Sequence, residues 1–432
     1  MESLPADGKL SSQTTSATRD EVLSKLMEKP YMKHTDKLFM HGRGYHGPAK
    51  NPVCTWKSKK PPRDDHDCPS WLTASEFEDV PEVCEAKCKE LARYIRISKK
   101  TVLYTGAGIS ASVIGQAARS GENTVGWKKV DRRAAKPTPT HFALAHLVNT
   151  GLIHSWIQQN HDGLPQKAGC PQHLINEIHG SWFDPGNPVV KYSGSLHDRT
   201  FPWMEHDSKT ADLVIVIGSS LGGLTADQVA TNCSERSTKG KSIGTVCINL
   251  QQTVPDSGMS LRIFGKSDNI LQRVVSELGM CSIPTVSPKF MQQQQSRALV
   301  PYDKIGNRLA PESDEPRMYL DLSDRAKVKL SPGHNIQGAQ QPMYMHIGAK
   351  TPKKYNGVLR QPGRGHGFVM RREQYSYLLC IDGVQMRLGL WWLDAAIEGK
   401  LEAIPVVNVC PIYEGEERKE HIKATMAKTN KL

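Results

Sequence analysis

The residues Tyr104-Thr-Gly106-Ala107-Gly108-Ile-Ser110-Ala111 set glycines in the spacing G-x-G-x-x-A directly after the apolar Val102-Leu103-Tyr104. Glycine at such positions lets the chain turn sharply at a strand end and bring its backbone up to a pyrophosphate. The phosphate charge then meets the N–H groups that open a helix. Dinucleotide binding is the chemistry this pattern serves, although the pattern alone recurs in many α/β proteins. Metal chemistry has less support. Ten cysteines (54, 68, 84, 88, 170, 233, 247, 281, 380 and 410) are scattered, with no C-x-x-C among them, so a zinc ribbon is hard to build and no metal ligands are assigned. Cys84 and Cys88 fall with Leu91 and Ile95 on the apolar stripe of a helix, which reads as core.

The glycine loop needs a strand before it and a layered fold around it. A helical pattern from Val83 to Lys100 leads into the strand at Val102–Tyr104, and further strand-like runs lie at Leu152–Ile157, Asp212–Ile217 and Thr245–Leu250. Helical stretches separate them, notably His141–Asn149. Strands alternating with helices predict an α/β fold: a Rossmann-like parallel sheet with helices on both faces, over residues 76–283. Residues 1–75 are rich in Lys, His, Pro and Gly and read as an extended basic arm, able to wrap a partner or its own domain. Residues 284–326, with Met291-Gln-Gln-Gln-Gln-Ser296, read as a linker. Residues 327–415 read as a small α+β domain in which Arg387–Ile397 forms a buried helix carrying Leu388, Trp391, Trp392 and Ala395 at helical spacing. Residues 416–432 form a charged tail.

Composition is that of a globular protein, 38% hydrophobic and 23% charged. No stretch approaches the roughly 18 apolar residues of a membrane span, and the N-terminus lacks the pattern of a signal peptide. An intracellular protein is expected, either cytoplasmic (a cytoskeletal assembly included) or nuclear. The net charge is +12, with 22 basic and 15 acidic residues in 284–432. That excess suits an acidic partner. A protein partner is the first expectation. Nucleic acid is the second, because no dense Lys/Arg tract with interleaved aromatics supports it.

A series of further motifs resembles the sirtuin family. Glu85–Ser110 resembles a sirtuin entry, a K-x-x-E-L-A-x-x-I helix leading to T-G-A-G-I-S. Pro137-Thr-Pro-Thr-His141-Phe-Ala-Leu-Ala-His-Leu147 is similar to P-x-x-x-H-x-x-L-x-x-L. Gln159-Asn160-His-Asp162-Gly-Leu164 with Ala168-Gly169 resembles Q-N-x-D-x-L-H-x-x-A-G. Glu177-Ile-His179-Gly180 matches E-x-H-G, Gly218-Ser219-Ser220-Leu221 fits G-T-S-L, and Ile248-Asn249 fits the later strand. The pattern is closest to the nuclear branch of the family. The resemblance implies an NAD-dependent protein-lysine deacylase or mono-ADP-ribosyltransferase that releases nicotinamide while the acyl oxygen attacks the ribose carbon. His179 then takes the position of the general base, a task that suits an imidazole titrating near neutrality. Asn160, Asp162 and Arg119 join it at the catalytic side. Gly106, Ala107, Gly108, Ser110, Arg119, Gln159, Asn160, Asp162, Gly218, Ser219, Ser220 and Asn249 line the cofactor, and Pro188, Val189 and Val190 form the strand that binds substrate backbone.

Two departures bear on that reading. The family's I-P-D-F-R lid falls, without a gap, so that Pro, Asp and Phe become Gln116, Ala117 and Ala118 while Arg119 is kept. Alanine cannot shield a reactive centre from water as an aromatic does. Trp127, in Val125-Gly-Trp127, stands where the nuclear branch has G-V-W. Second, only seven residues separate Gly180 from Pro188, too few for the family's four-cysteine zinc module. The family's glutamate after the substrate strand is here Ser195, and its L-H is Leu164-Pro165. Two readings follow: a working NAD-consuming enzyme, or a catalytically weak or inactive NAD-binding scaffold within a larger assembly.

Overall fold

The structure, a computed structural model, describes residues 12–29, 31–60, 69, 71–115, 123, 125, 131–190, 196–280, 283–287, 290, 296–331 and 365–416. Arg119, the lid positions 116–118, Trp127, Ser195 and nearly all of the charged tail lie outside the described residues. The chain folds as two compact units, each assembled from separate stretches: 1–129, 137–159 and 201–286 in the first; 130–136, 160–200 and 287–432 in the second.

The first unit holds the parallel sheet. Strands β3 (Thr101–Thr105), β4 (Ser155–Gln158), β6 (Leu213–Ile217), β7 (Gly244–Ile248) and β8 (Leu261–Ile263) are buried at every position. Strands covered on both faces are largely apolar rather than alternating, which is why β3, β4, β6 and β7 were visible in the sequence as runs; β8, three residues with Arg262 at its centre, was not. They lie in the order β4-β3-β6-β7-β8, all parallel, with Val102 beside Ser155 on one side and Val214 on the other. The strand order reverses between β3 and β6, and α/β sheets bind ligands at the carboxyl ends of the strands flanking such a switch point.

Helices flank this sheet. Helix α2 (Pro81–Ile97) starts on a proline, whose missing N–H costs nothing in the first turn, and buries Val83, Cys88, Leu91, Ala92 and Ile95. Both α2 and α4 (Pro139–Asn149) pack on α8 (Ser267–Glu277), and α7 (Gln228–Ser237) packs on β6 and β7. The single turn α3 (Ala111–Ile114) follows the glycine loop, and α6 (Thr200–Thr210) leads into β6.

The described residues among the first 75 are folded onto the first unit and do not form an extended arm. Helix α1 (Ser12–Glu28) touches α2 and α7, and β1 (Val53–Trp56) pairs antiparallel with β2 (Glu76–Glu78). Between them, residues 41–44 run along β8: Arg43 N donates to Met259 O (2.9 Å), Gly44 N to Ser260 O (2.8 Å), and Arg262 N to His41 O (2.9 Å). The Arg43 guanidinium is buried and donates to the carbonyls of Leu26 (2.6 Å), Lys29 (3.1 Å) and Gly258 (3.0 Å) and to Ser237 Oγ. Burial lowers its pKa to about 10. These contacts are backbone pairs and one long cation, so they leave no apolar period in the sequence.

The second unit is mostly antiparallel. Strands β9 (Arg297–Val300), β10 (Met318–Asp321) and β16 (Ile412–Tyr413) form a three-stranded sheet in the order β16-β10-β9. Strands β11 (Lys327–Leu330), β12 (His366–Arg372), β13 (Ser376–Ile381), β14 (Val384–Gly389) and β15 (Val406–Asn408) form a second, ordered β14-β13-β12-β11-β15. The stretch expected as a linker therefore supplies β9 and β10. Helix α9 (Leu390–Ile397) buries Trp391 and Trp392. It is shorter than the sequence pattern suggested, because Arg387–Gly389 belong to β14 and Gly389 caps the helix. Residues 160–200, with the short helix α5 (Leu164–Lys167) and strand β5 (Ile175–Glu177), share this unit, and Phe183 is part of its core with Phe290, Trp391 and Trp392.

Candidate functional site

The candidate residues fall into two groups, one on each unit. Gln159 is the last residue of the first unit's middle stretch and Asn160 the first of the second unit's.

On the first unit, the loops after β3 and β6 meet backbone to backbone at the switch point. Gly106 N donates to Ile217 O (3.0 Å) and Gly108 N to Gly218 O (2.9 Å). A Cβ on Gly108 would lie 2.6 Å from the Gly218 Cα, and one on Gly106 would lie 2.7 Å from Gln159 Oε1 and 2.8 Å from Gly218 O. These glycines thus serve first to let two loops touch. Their N–H groups are used in holding those loops together. Around this contact, Ser219 Oγ donates to Gln159 Oε1 (3.1 Å) and Asn249 Nδ2 to Ser219 O (2.7 Å). Ala107–Ser110 form a tight 3₁₀ turn, and the buried Ser110 Oγ lies 3.4 Å from His141 Nε2. His141 is buried and fixed by Thr138, whose Oγ1 lies 2.7 Å from Nδ1. Gly106, Ala107, Gly108, Ser110, Gln159, Gly218, Ser219 and Asn249 are therefore one neighbourhood, with Ser220 following directly on Ser219. It lies at the switch point, where parallel α/β sheets take a dinucleotide's diphosphate.

On the second unit, a tight turn carries His179. Gly180 N donates to Glu177 O (3.0 Å), and Gly180 has φ +86°. Val190 N donates to His179 O (3.1 Å) and Ser181 N to Asn187 O (2.9 Å). The segment from Gly180 to Pro188 is thereby a compact reversal that lays Pro188–Val190 against the histidine turn. His179 is half-buried. The Asp162 loop is tied to the same turn: Trp182 N donates to His161 O (3.0 Å), and His161 Nδ1 lies 2.8 Å from Gly180 O. Asp162 is buried and accepts Leu164 N (3.0 Å), the first N–H of α5. So His179, Asp162, the neighbouring Asn160 and the 188–190 strand come together. Arg119 is outside the described residues.

Two ionisable groups beside this turn carried no role in the sequence reading. Glu177 is buried, its Oε1 has no hydrogen-bond partner, and burial, with repulsion from Asp184, pushes its pKa up to about 8 against opposition from Ser181. Lys167 is buried as well. It donates to the carbonyls of Arg133 (2.8 Å) and Ala135 (3.3 Å) and sits 4.7 Å from the Phe183 ring centre and 4.9 Å from that of Tyr375. Burial pushes its pKa down to about 8. Glu177 lay in a quoted motif and could have been flagged there. Lys167 had no local signal. Among the described residues no cluster of His, Cys, Asp and Glu is arranged to hold a metal, and no helix is long and apolar enough to cross a membrane.

A parallel sheet with glycine loops meeting at its switch point defines a dinucleotide-binding α/β protein. No family model matches the chain. Curated relatives do: "NAD-dependent protein deacetylase SRT1" of Oryza sativa subsp. indica is 30% identical over 264 residues, covering 50% of this chain and 53% of its own. "NAD-dependent protein deacetylase sirtuin-7" of Homo sapiens is 26% identical over 258 residues, covering 48% and 64%. "NAD-dependent protein deacylase 2" of Archaeoglobus fulgidus is 26% identical over 254 residues, covering 45% and 97%. The chain thus spans about half the length of the rice relative. A solved Sir2 enzyme superposes with a TM-score of 0.38 at 24% identity, covering 46% of this chain and all of its own, and adds nothing to the topology above. The chain is a divergent relative of the sirtuins.

Proposed function

We propose that this protein is an NAD-dependent protein deacylase in which His179 is the general base. The observation that carries the reading is the bond from Val190 N to His179 O, which holds the candidate base and the candidate substrate strand in one turn. NAD, when bound, supplies the ribose carbon and the nicotinamide leaving group. The chain's own residues do the rest. The loops of Gly106, Gly108 and Gly218, meeting at the switch point, take the diphosphate. Gln159, Ser219, Ser220 and Asn249 fix the cofactor's polar edges, and Asn160 and Asp162 orient its nicotinamide and ribose side. The segment Pro188–Val190 is the candidate to take an extended acyl-lysine peptide along its backbone. The imidazole of His179 accepts a ribose hydroxyl proton, the work of a base titrating near neutrality. The protein partner is accordingly the acylated substrate, and mono-ADP-ribosyl transfer is the alternative outcome if a protein nucleophile reaches the ribose carbon first.

The second reading, an NAD-binding scaffold with weak or no turnover, draws on the lost lid at Gln116-Ala117-Ala118. One experiment separates the readings: nicotinamide release from NAD, with and without acyl-lysine peptides, by the native protein and His179→Ala. Peptide-stimulated release that disappears in the variant is the expected result. Release without peptide favours transfer or hydrolysis, and bound NAD with no release from either protein favours the scaffold.

A further inference from the structure

Phe183 is the residue on which both loops of the second unit's half-site rest. It lies four residues after His179, and its carbonyl accepts the N–H of Gly389 (2.9 Å) at the junction of β14 and α9. Its ring meets Trp391 edge-on, with centroids 5.2 Å apart, and Trp391 in turn packs on Phe290 at 6.0 Å. The Lys167 ammonium caps the ring at 4.7 Å. Phe183 is 1% exposed, so it is a core residue of the antiparallel unit and also a member of the turn that carries His179.

The Asp162 loop stands on the same pair of rings. Gly163 follows Asp162 with φ +62°, and a Cβ there would lie 2.8 Å from Phe183 Cδ2 and 3.0 Å from Trp391. Only a hydrogen fits between that loop and the aromatic pair. The loop is then cross-tied to the His179 turn through Trp182 N to His161 O and His161 Nδ1 to Gly180 O. Neither loop contains enough apolar surface of its own to hold this geometry. The short reversal from Ser181 to Asn187 contributes two aromatic anchors to the core, the half-buried Trp182 and Phe183, and of the two only Phe183 is fully buried.

We propose that Phe183 is a positioning residue for His179 and Asp162, and that the C-terminal antiparallel sheets, acting through Trp391, are the rigid platform of the half-site rather than a separate binding module. The proposal rests on the functional reading above for its catalytic consequence, but its geometric content is independent of turnover. A rigid supporting shell matters because misplacing a reacting group by about 1 Å can cost about 100-fold in rate.

The test uses the full-length chain carrying Phe183→Ala, Phe183→Leu or Trp391→Phe, with the exposed Phe368→Ala on β12 as control. Two quantities are read: the titration midpoint of the His179 imidazole by NMR of selectively labelled histidine, assigned by its loss in His179→Gln, and the rate and KM of nicotinamide release. In Phe183→Ala the midpoint is expected to move away from its native value. The maximal rate should fall about 10- to 100-fold while KM for NAD changes far less. Phe183→Leu and Trp391→Phe should give smaller shifts in the same direction, and Phe368→Ala none. If Phe183→Ala does not fold, the two conservative variants decide. Folded Phe183 and Trp391 variants that keep the native midpoint overturn the proposal. If the native protein releases no nicotinamide, the functional reading fails, and the midpoints still decide whether Phe183 positions the histidine.

Discussion

Replacing Gly180 by alanine tests the turn that presents His179, and a second glycine in the same unit provides the control. Gly180 has φ +86° and Gly383 has φ +80°, so an alanine pays the same left-handed backbone penalty at both, about 1–2 kcal/mol. Their surroundings differ. The new Cβ at 383 meets nothing within 4 Å, whereas at 180 it would lie 2.2 Å from Pro188 O and 2.5 Å from Pro188 C. That obstacle is backbone, not the end of a flexible side chain. Relief requires Pro188 to retreat, and its retreat strains the Val190 N to His179 O bond. Overpacking of this kind costs about 1–3 kcal/mol, and a weakened hydrogen bond about 1 kcal/mol more. Gly180→Ala should therefore lose roughly 2–4 kcal/mol beyond Gly383→Ala. For a unit of this size, that is a further fall in melting temperature of about 4–16 °C. Fluorescence-detected thermal and urea unfolding of the two variants side by side measures it. Equal losses at the two positions would show that the histidine turn does not press on the 188–190 strand, and the half-site as described would be wrong.

Other consequences are as direct. Gly108→Ala puts a methyl where the Gly218 Cα stands 2.6 Å away, so the two glycine loops must part. NAD affinity measured by calorimetry should drop at least about tenfold, equivalent to about 1.4 kcal/mol, and unchanged affinity would remove the cofactor from this loop pair. Arg43→Met removes this donor from the carbonyls of Leu26 and Lys29, while Gly258 O keeps Ser234 Oγ (2.6 Å). Buried groups left unpaired cost about 1–3 kcal/mol each before relaxation, so a variant as stable as the native protein in urea would mean that residues 12–48 are not part of the first unit. Glu177 holds its proton in the folded state up to about pH 8, whereas an unfolded glutamate releases it near its ordinary value of 4.5. Stability from this group is therefore complete below about pH 4.5 and is lost as pH rises towards 8. Glu177→Gln, neutral at every pH, should flatten that slope in denaturant titrations run from pH 5 to 8, and identical slopes would contradict the burial of an acid there.

The parts of this molecule legible in the sequence are those whose signal is local. Leu213–Ile217 and Gly244–Ile248 are buried on both faces, so they appear as β-branched runs whatever surrounds them. The glycine loop and the E-x-H-G turn are short contiguous patterns; Gly180 answers to Pro188 close by, while Gly106 and Gly108 are legible as a motif although they answer to the distant Gly218. The partition into units was not legible, because it depends on isolated long-range anchors. Phe183 and Trp182 help to tie residues 160–200 to the antiparallel unit, yet two adjacent aromatics in a polar stretch have no period to betray them. Arg43 does the same for the N-terminal segment, with acceptors more than 200 positions away at Gly258. The strands β9 and β10 are four residues each and follow a glutamine run, so their alternation is too brief to set against a linker composition.

Lys167 and Glu177 decide how much weight the catalytic reading deserves. Both are buried, and a buried ionisable group is costly unless its partners repay the lost hydration. Lys167 has such partners: two carbonyls and two aromatic faces, so its burial is explained by packing alone. Glu177 is different. Its backbone carbonyl is well used, accepting Gly180 N (3.0 Å) and Asn187 Nδ2 (2.9 Å), and any residue could supply that carbonyl. Its side chain is hydrogen-bonded by Ser181 and Gln166, but one oxygen, Oε1, has no partner, and the Asp184 carboxylate repels the charged form. A scaffold with no chemistry at this turn would be more stable with an apolar residue of similar volume. Ser181 and Gln166 offset only part of that cost, and a local cost incompletely offset is typical of functional sites; here it lies two residues from His179. That supports the enzyme over the scaffold on physical grounds separate from the motif match, and it makes Glu177→Leu informative. A variant that gains stability while losing nicotinamide release would show that the acid serves the reaction, and one that loses stability would return Glu177 to the structure.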